Sequence, residues 1–140
     1  MANYIATART NYFRVTDEER YAELFAGLLS EDQIYDFTKT DSDGVTRHCF
    51  GSYDAIDWYA EEDEDHEDPD FGRFLIELQR ILPEDEAFMY FEAGHEKLRY
   101  VTGCTVVVTA NRIRRMSIDD WAMKTAEELL GEGFTTQIDY

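Results

Sequence analysis

Ten carboxylates stand between Asp54 and Asp70 with no Lys or Arg among them: Asp54, Asp57, Glu61, Glu62, Asp63, Glu64, Asp65, Glu67, Asp68 and Asp70. Such a run has three chemical readings. It can be a solvated, self-repelling loop. It can hold calcium, but that needs six to eight oxygens converging on one point, and density alone does not arrange convergence. The nearest EF-hand-like stretch, Asp41-Ser42-Asp43-Gly44, has its glycine too early and no Glu at the twelfth position. Third, it can be a polyanionic docking surface. Duplex DNA carries one charge per roughly 1.7 Å of axis. Carboxylates at alternate strand positions lie roughly 6.5–7 Å apart, near the phosphate spacing along one DNA strand. Acids on a fixed scaffold therefore compete for a basic groove that normally holds nucleic acid. Asp17, Glu18, Glu19, Glu23, Glu31, Asp32 and Asp36 extend such a surface if they share its face.

Tyr53, Trp58 and Tyr59 are interleaved with Asp54 and Asp57. Aromatic anchors beside charges compose an interface core and rim; the plainer alternative is that Trp58 and Tyr59 pin the loop to the domain. The other reactive side chains carry weaker patterns. His48, His66 and His95 form no H-x-x-x-H or H-E-x-x-H spacing. Neither Cys49 nor Cys104 has a nucleophile pattern, no serine lies in G-x-S-x-G, and Gly94 and Gly103 make no phosphate-binding loop. An enzymatic reading needs a deep polar pocket around Glu92, His95 and Tyr100. Arg112, Arg114 and Arg115 form the basic cluster; on a strand, Arg112 and Arg114 share a face and Arg115 opposes them. They pair with the protein's own acids or with the acidic face of a second copy. No metal, cofactor or catalytic set is assigned.

Periodicity supplies the elements that must position these groups. Tyr4 to Val15 reads as a strand. Thr16 as N-cap with Glu19 makes a capping box for a helix whose apolar face is Tyr21, Leu24, Phe25 and Leu28. Ile34 to Thr38 and Val45 to Tyr53 read as strands around the Asp41–Gly44 turn, and a helical turn is expected near Ile56, Trp58 and Tyr59. Asp68-Pro69 opens a helix with the face Phe71, Phe74, Leu75, Leu78 and Leu82. Ala87 to Glu92 and Leu98 to Thr109 read as strands around a Gly94–Lys97 turn; Ile113 to Met116 adds a third. A helix from about Asp119 to Leu130 stops at Gly131, and Phe134 to Tyr140 suits an edge strand. Helices interleaved with hairpins predict a single α+β domain over residues 1–140. Its sheet is mostly antiparallel with helices on one face, approximating a ferredoxin-like βαββαβ plus an extra strand and a C-terminal helix.

The 140 residues carry a formal charge of −18, with nine Phe, nine Tyr and two Trp. Aromatic content of this order belongs to a folded chain, not to a disordered acidic one. Residues 1–70 hold 19 acids and 5 bases, and residues 71–140 hold 12 and 8. The balance favours partners with basic faces and disfavours direct contact with nucleic acid or anionic membrane. No transmembrane run and no export signal is visible, so a cytoplasmic protein with two reduced, buried cysteines is expected.

Ala6-Thr7-Ala8-Arg9-Thr10-Asn11-Tyr12-Phe13-Arg14-Val15, Phe50-Gly51-Ser52-Tyr53 and the stretch from Gly94 to Gly103 resemble a family of small acidic proteins carried on plasmids, phages and integrative elements of Gram-positive gut bacteria. The resemblance implies an accessory role for a mobile genetic element. Inhibition of host defence, anti-CRISPR or anti-restriction, fits an acidic, non-enzymatic domain. The expected function is a DNA-mimic-type inhibitor of a basic nucleic-acid-binding protein, a nuclease or CRISPR effector. Its expected contact residues are Asp54, Asp57, Trp58, Tyr59, Glu61, Glu62, Asp63, Glu64, Asp65, Glu67 and Asp68. The alternative is a ferredoxin-like domain that self-associates as a homodimer through its sheet face or Arg112–Arg115 edge, its acids serving only solubility.

Overall fold

A computed structural model describes residues 4–60, 68–131 and 133–134. The elements run β1 (Ile5–Thr10), α1 (Glu18–Ala26), β2 (Leu28–Ser30), β3 (Tyr35–Asp36), β4 (Lys39–Thr40), β5 (Thr46–Arg47), β6 (Phe50–Ser52) and β7 (Ile56–Trp58). Then follow α2 (Phe71–Gln79), β8 (Ala87–Glu96), β9 (Tyr100–Thr109), β10 (Ile113–Ser117) and α3 (Ile118–Leu130). Six strands form one antiparallel sheet in the order β10-β9-β8-β1-β6-β3, and β2-β7 and β4-β5 are separate ribbons. The α+β class read from the sequence therefore holds for the described chain.

The period of two along β1 decides which face is covered. Ala6, Ala8 and Thr10 are buried, while Ile5, Thr7 and Arg9 are exposed. The buried face continues through Phe88 and Tyr90 of β8 and Val106 and Val108 of β9. Tyr21 and Leu24 of α1 and Phe74, Leu75 and Leu78 of α2 pack onto it. Four phenylalanines meet at the centre: Phe13 lies edge-on to Phe88 at 5.0 Å, and Phe50 edge-on to Phe74 at 6.1 Å. These are the arrangements that aromatic quadrupoles favour. α3 departs from the expected one-sided helix layer. Its first residue, Ile118, packs over Gly103, whose face is that of Ala93 and Thr7, opposite the core.

Several boundaries differ from those the sequence suggests. Asp17, not Thr16, caps α1 by accepting from the Arg20 N–H at 2.9 Å. The Thr16 hydroxyl instead donates to the Ile81 carbonyl. Leu28 leaves the helix and begins β2. The expected strand over Val45 to Tyr53 is split, because His48 bridges to Phe13 between β5 and β6. α2 starts two residues later than Asp68-Pro69 suggests, since the Asp70 carboxylate accepts from Arg73 N–H at 3.2 Å. The β8–β9 ladder extends to Glu96 and Tyr100, so the turn falls at 97–99 rather than at Gly94–Lys97. Lys97 takes the left-handed conformation there, with φ 52°. Residues 135–140, including most of the proposed edge strand, lie outside the described residues.

The helical turn expected near Ile56 is a strand, β7, paired with β2. Ile56 and Trp58 face the core and Asp57 does not, a three-residue alternation too short to read from sequence. Gly27 makes the ribbon possible: a Cβ there would overlap the Tyr59 carbonyl oxygen and sit 2.6 Å from Trp58 Nε1. Among the described residues no helix is long and apolar enough to cross a membrane.

Two outcomes test this packing. Gly27→Ala destabilises the fold by about 1–3 kcal/mol through overpacking, read by urea denaturation. Thiol titration separates the cysteines, because Cys49 is fully buried and Cys104, contrary to the expectation of two buried thiols, is exposed. Cys104 reacts in the native state, but slowly at neutral pH, because desolvation and then the Glu92 carboxylate push its thiol up. Cys49 reacts only in denaturant.

Candidate functional site

The acidic segment is rooted in the β2–β7 ribbon. The Tyr59 N–H donates to the Gly27 carbonyl at 3.0 Å, and the Asp70 N–H donates to the Trp58 carbonyl at 2.8 Å. The second bond ties both flanks of the segment to one place. Glu61, Glu62, Asp63, Glu64, Asp65 and Glu67 themselves lie outside the described residues. Asp68 is exposed and Tyr59 half-buried.

Acids along the ribbon, from Asp57 to its far end, are held by backbone donors. Asp54 Oδ1 accepts from the Ala55 N–H at 2.7 Å, and Asp57 Oδ1 from the Trp58 N–H at 3.0 Å. Asp32 Oδ2 accepts from Tyr53 N–H at 3.4 Å, linking the residues just after β2 to the end of β6. Ladder pairing sets Leu29 opposite Asp57 and Ser30 opposite Ile56, so Glu31 and Asp32 follow on beside Asp54. Sequence distance had separated Asp32 from the acidic run by more than twenty positions; the ribbon brings them together.

Trp58 does not belong to a surface. Its indole is 4% exposed, its Nε1–H donates to the Leu24 carbonyl at 2.8 Å, and its ring lies 6.1 Å from Phe74. A fully desolvated indole with a satisfied N–H is a core anchor. The expectation that Trp58 offers buried contact to a partner is thereby corrected. It pins the acidic root onto α1 and α2, as the plainer reading held.

Other acids are occupied by intramolecular cations. Arg14 pairs with Asp85 and Glu86, Arg20 with Glu23 and Glu77, Arg80 with Glu77, and Arg47 with Asp41. Near the ribbon, a polar groove of about 480 Å³ is lined by Arg20, Glu23, Trp58, Arg73, Glu77 and Arg80 among others.

The arrangement closest to a catalytic relay is one that sequence spacing missed. Thr38 Oγ1 lies 3.1 Å from His48 Nδ1, and His48 Nε2 lies 2.7 Å from Glu18 Oε2. Hydroxyl, imidazole and carboxylate stand in the order of a nucleophile triad. The imidazole is buried and stacks on Tyr21 at 4.0 Å. The chain of bonds fastens the start of α1 to the β5–β6 connection. Glu92, His95 and Tyr100 do not converge either. In the β8–β9 register His95 shares a face with Ile5, whereas Glu92 and Tyr100 lie on the opposite face. Among the described residues no group of His, Cys, Asp and Glu is placed to hold a metal ion.

Trp58→Phe removes the indole bond to Leu24, whose carbonyl keeps only the Gly27 N–H at 3.1 Å, costing about 0.5–1.5 kcal/mol of stability in a denaturation curve. The charge surface is untouched, so any partner affinity changes only as far as the fold weakens. Comparison with family models, with curated proteins and with solved structures finds no match for this chain.

Proposed function

We propose that this protein is a non-enzymatic binding protein that presents fixed negative charge to a basic, nucleic-acid-handling partner. The observation that carries the reading is the root of the acidic segment. A backbone bond from Asp70 to Trp58 closes it at one end of the β2–β7 ribbon, which also carries Asp57 and, past its far end, Asp54 and Asp32; the carboxylates of these three are oriented by N–H donors. Oriented acids lose less freedom on docking than acids on a free chain, so more of the electrostatic attraction survives as affinity. The surplus of −18 raises the encounter rate with a positive cleft. With the resemblance to mobile-element proteins, the partner class is a bacterial defence nuclease or CRISPR effector, and the action is competition with its nucleic acid.

The finer fold assignment belongs to the same proposal. The consecutive neighbours β8-β1-β6-β3 support a ferredoxin-like core, with α1 between β1 and β3 in the chain and α2 between β6 and β8. In that reading β9, β10 and α3 are additions.

Titration against a purified Cas9-type effector or restriction nuclease tests the reading, with displacement of labelled duplex DNA as the signal. Binding is expected to fall about tenfold or more between low and physiological salt. Reversal of Glu61, Glu62, Asp63, Glu64 and Asp65 to Lys should abolish it. Affinity unchanged by that reversal refutes the idea.

A further inference from the structure

Among the described residues the sheet buries one face and leaves the other open. On the open face the register aligns Ile5, Thr7 and Arg9 of β1 with His95, Ala93 and Phe91 of β8. Thr105 of β9 and Met116 of β10 continue the row of Phe91. Phe91 is 49% exposed, and Ile5 and Met116 are similar. Two shallow grooves of about 740 and 470 Å³ meet there at Thr7 and Ala93. The residues that β1, β8, β9 and β10 direct to this face include no Asp or Glu; the ionisable ones are Arg9, His95 and Arg114. In a chain of charge −18, an apolar face bearing only basic groups is a segregated surface, of the kind that marks an interaction site.

The same chain carries the complement. None of the 13 residues of α3 is buried. Ile118, Trp121, Ala122, Thr125 and Leu129 fall on one stripe at helical spacing, and Trp121 is 58% exposed. Asp119, Asp120, Glu127 and Glu128 give the helix its acidic side. An isolated helix of this length is marginal in water and needs tertiary packing of its apolar stripe. Contact of Ile118 with Gly103 fixes where α3 starts, yet leaves Phe91 and Ile5 uncovered. The dimensions agree: 13 residues span about 20 Å, and five strands from β10 to β6 span about 19 Å.

We propose that two copies of this chain associate about a twofold axis by exchanging α3, each acidic, apolar helix lying across the open, basic sheet face of the other. Self-complementary patches on one chain are what a closed dimer requires. The interface uses the face opposite Trp58 and the acidic root, so its test is independent of the anionic-docking reading.

Sedimentation of the full chain at about 100 µM should give twice the 16.4 kDa chain mass. Phe91→Glu, which spoils the face, and Trp121→Glu, which spoils the helix, should each sediment as a monomer with β-sheet circular dichroism retained. Mixing the two variants should restore a heterodimer, because one unspoiled helix still meets one unspoiled face. A monomeric parent chain overturns the proposal. So does a parent dimer that survives both substitutions, or a mixture that yields no heterodimer, which would mean face-to-face pairing. A parent monomer that dimerises only when residues 135–140 are removed also overturns it, by assigning the face to that tail.

Discussion

Four phenylalanine rings carry the constraint on which the other features depend. Phe13, Phe50, Phe74 and Phe88 come from the β1–α1 connection, β6, α2 and β8, and all are fully buried. Their edge-to-face contacts gather the sheet and α2 on one side, and Phe13 adds α1 through its edge contact with Tyr21. Burying one aromatic side chain is worth several kcal/mol, and a chain of this size has apolar material for one such layer. The opposite sheet face is left over by that economy. Trp58 belongs to the same layer through Phe74 and Leu24, so the position of the acidic root is set by the core.

Charge is then sorted around this one-sided core. Self-repulsion at −18 works against compactness. Part of it is relieved by Arg14, Arg20, Arg47 and Arg80, each of which holds one or two carboxylates. Exposed pairs of this kind add little stability individually; their effect is to decide where negative charge stays uncompensated. The acids at the β2–β7 ribbon take backbone N–H donors instead, which orient a carboxylate and leave its charge in place. Of ionisable side chains, β1, β8, β9 and β10 direct only Arg9, His95 and Arg114 to the open sheet face.

Elements with long apolar periods were legible from the sequence. Phe74, Leu75 and Leu78 mark the buried face of α2, and β8, β9 and β10 appear where alternation is sustained. Short elements were not. Ile56-Asp57-Trp58 suits a helical turn as well as a strand, and its pairing with Leu28–Ser30 decided between them. Both Thr16 and Asp17 are good caps, and the choice fell to Asp17 once Ile81 had claimed the Thr16 hydroxyl. The Thr38–His48–Glu18 chain spans three separate segments, so no local spacing announces it.

The sequence by itself determined composition-level and local properties: an aromatic-rich folded chain, its negative charge and the site of greatest density, and the order of the longer helices and strands. These follow from residue type and from periods of two and 3.6, which involve only near neighbours. Tertiary structure alone decided that Trp58 is core and Cys104 is not, that Asp32 comes opposite Asp54 on the ribbon that carries Asp57, and that β1, β8, β9 and β10 direct no acid to one face of the sheet. Each depends on which residues lie opposite one another across a ladder, and that register is set by the competition of distant apolar groups for a single buried layer.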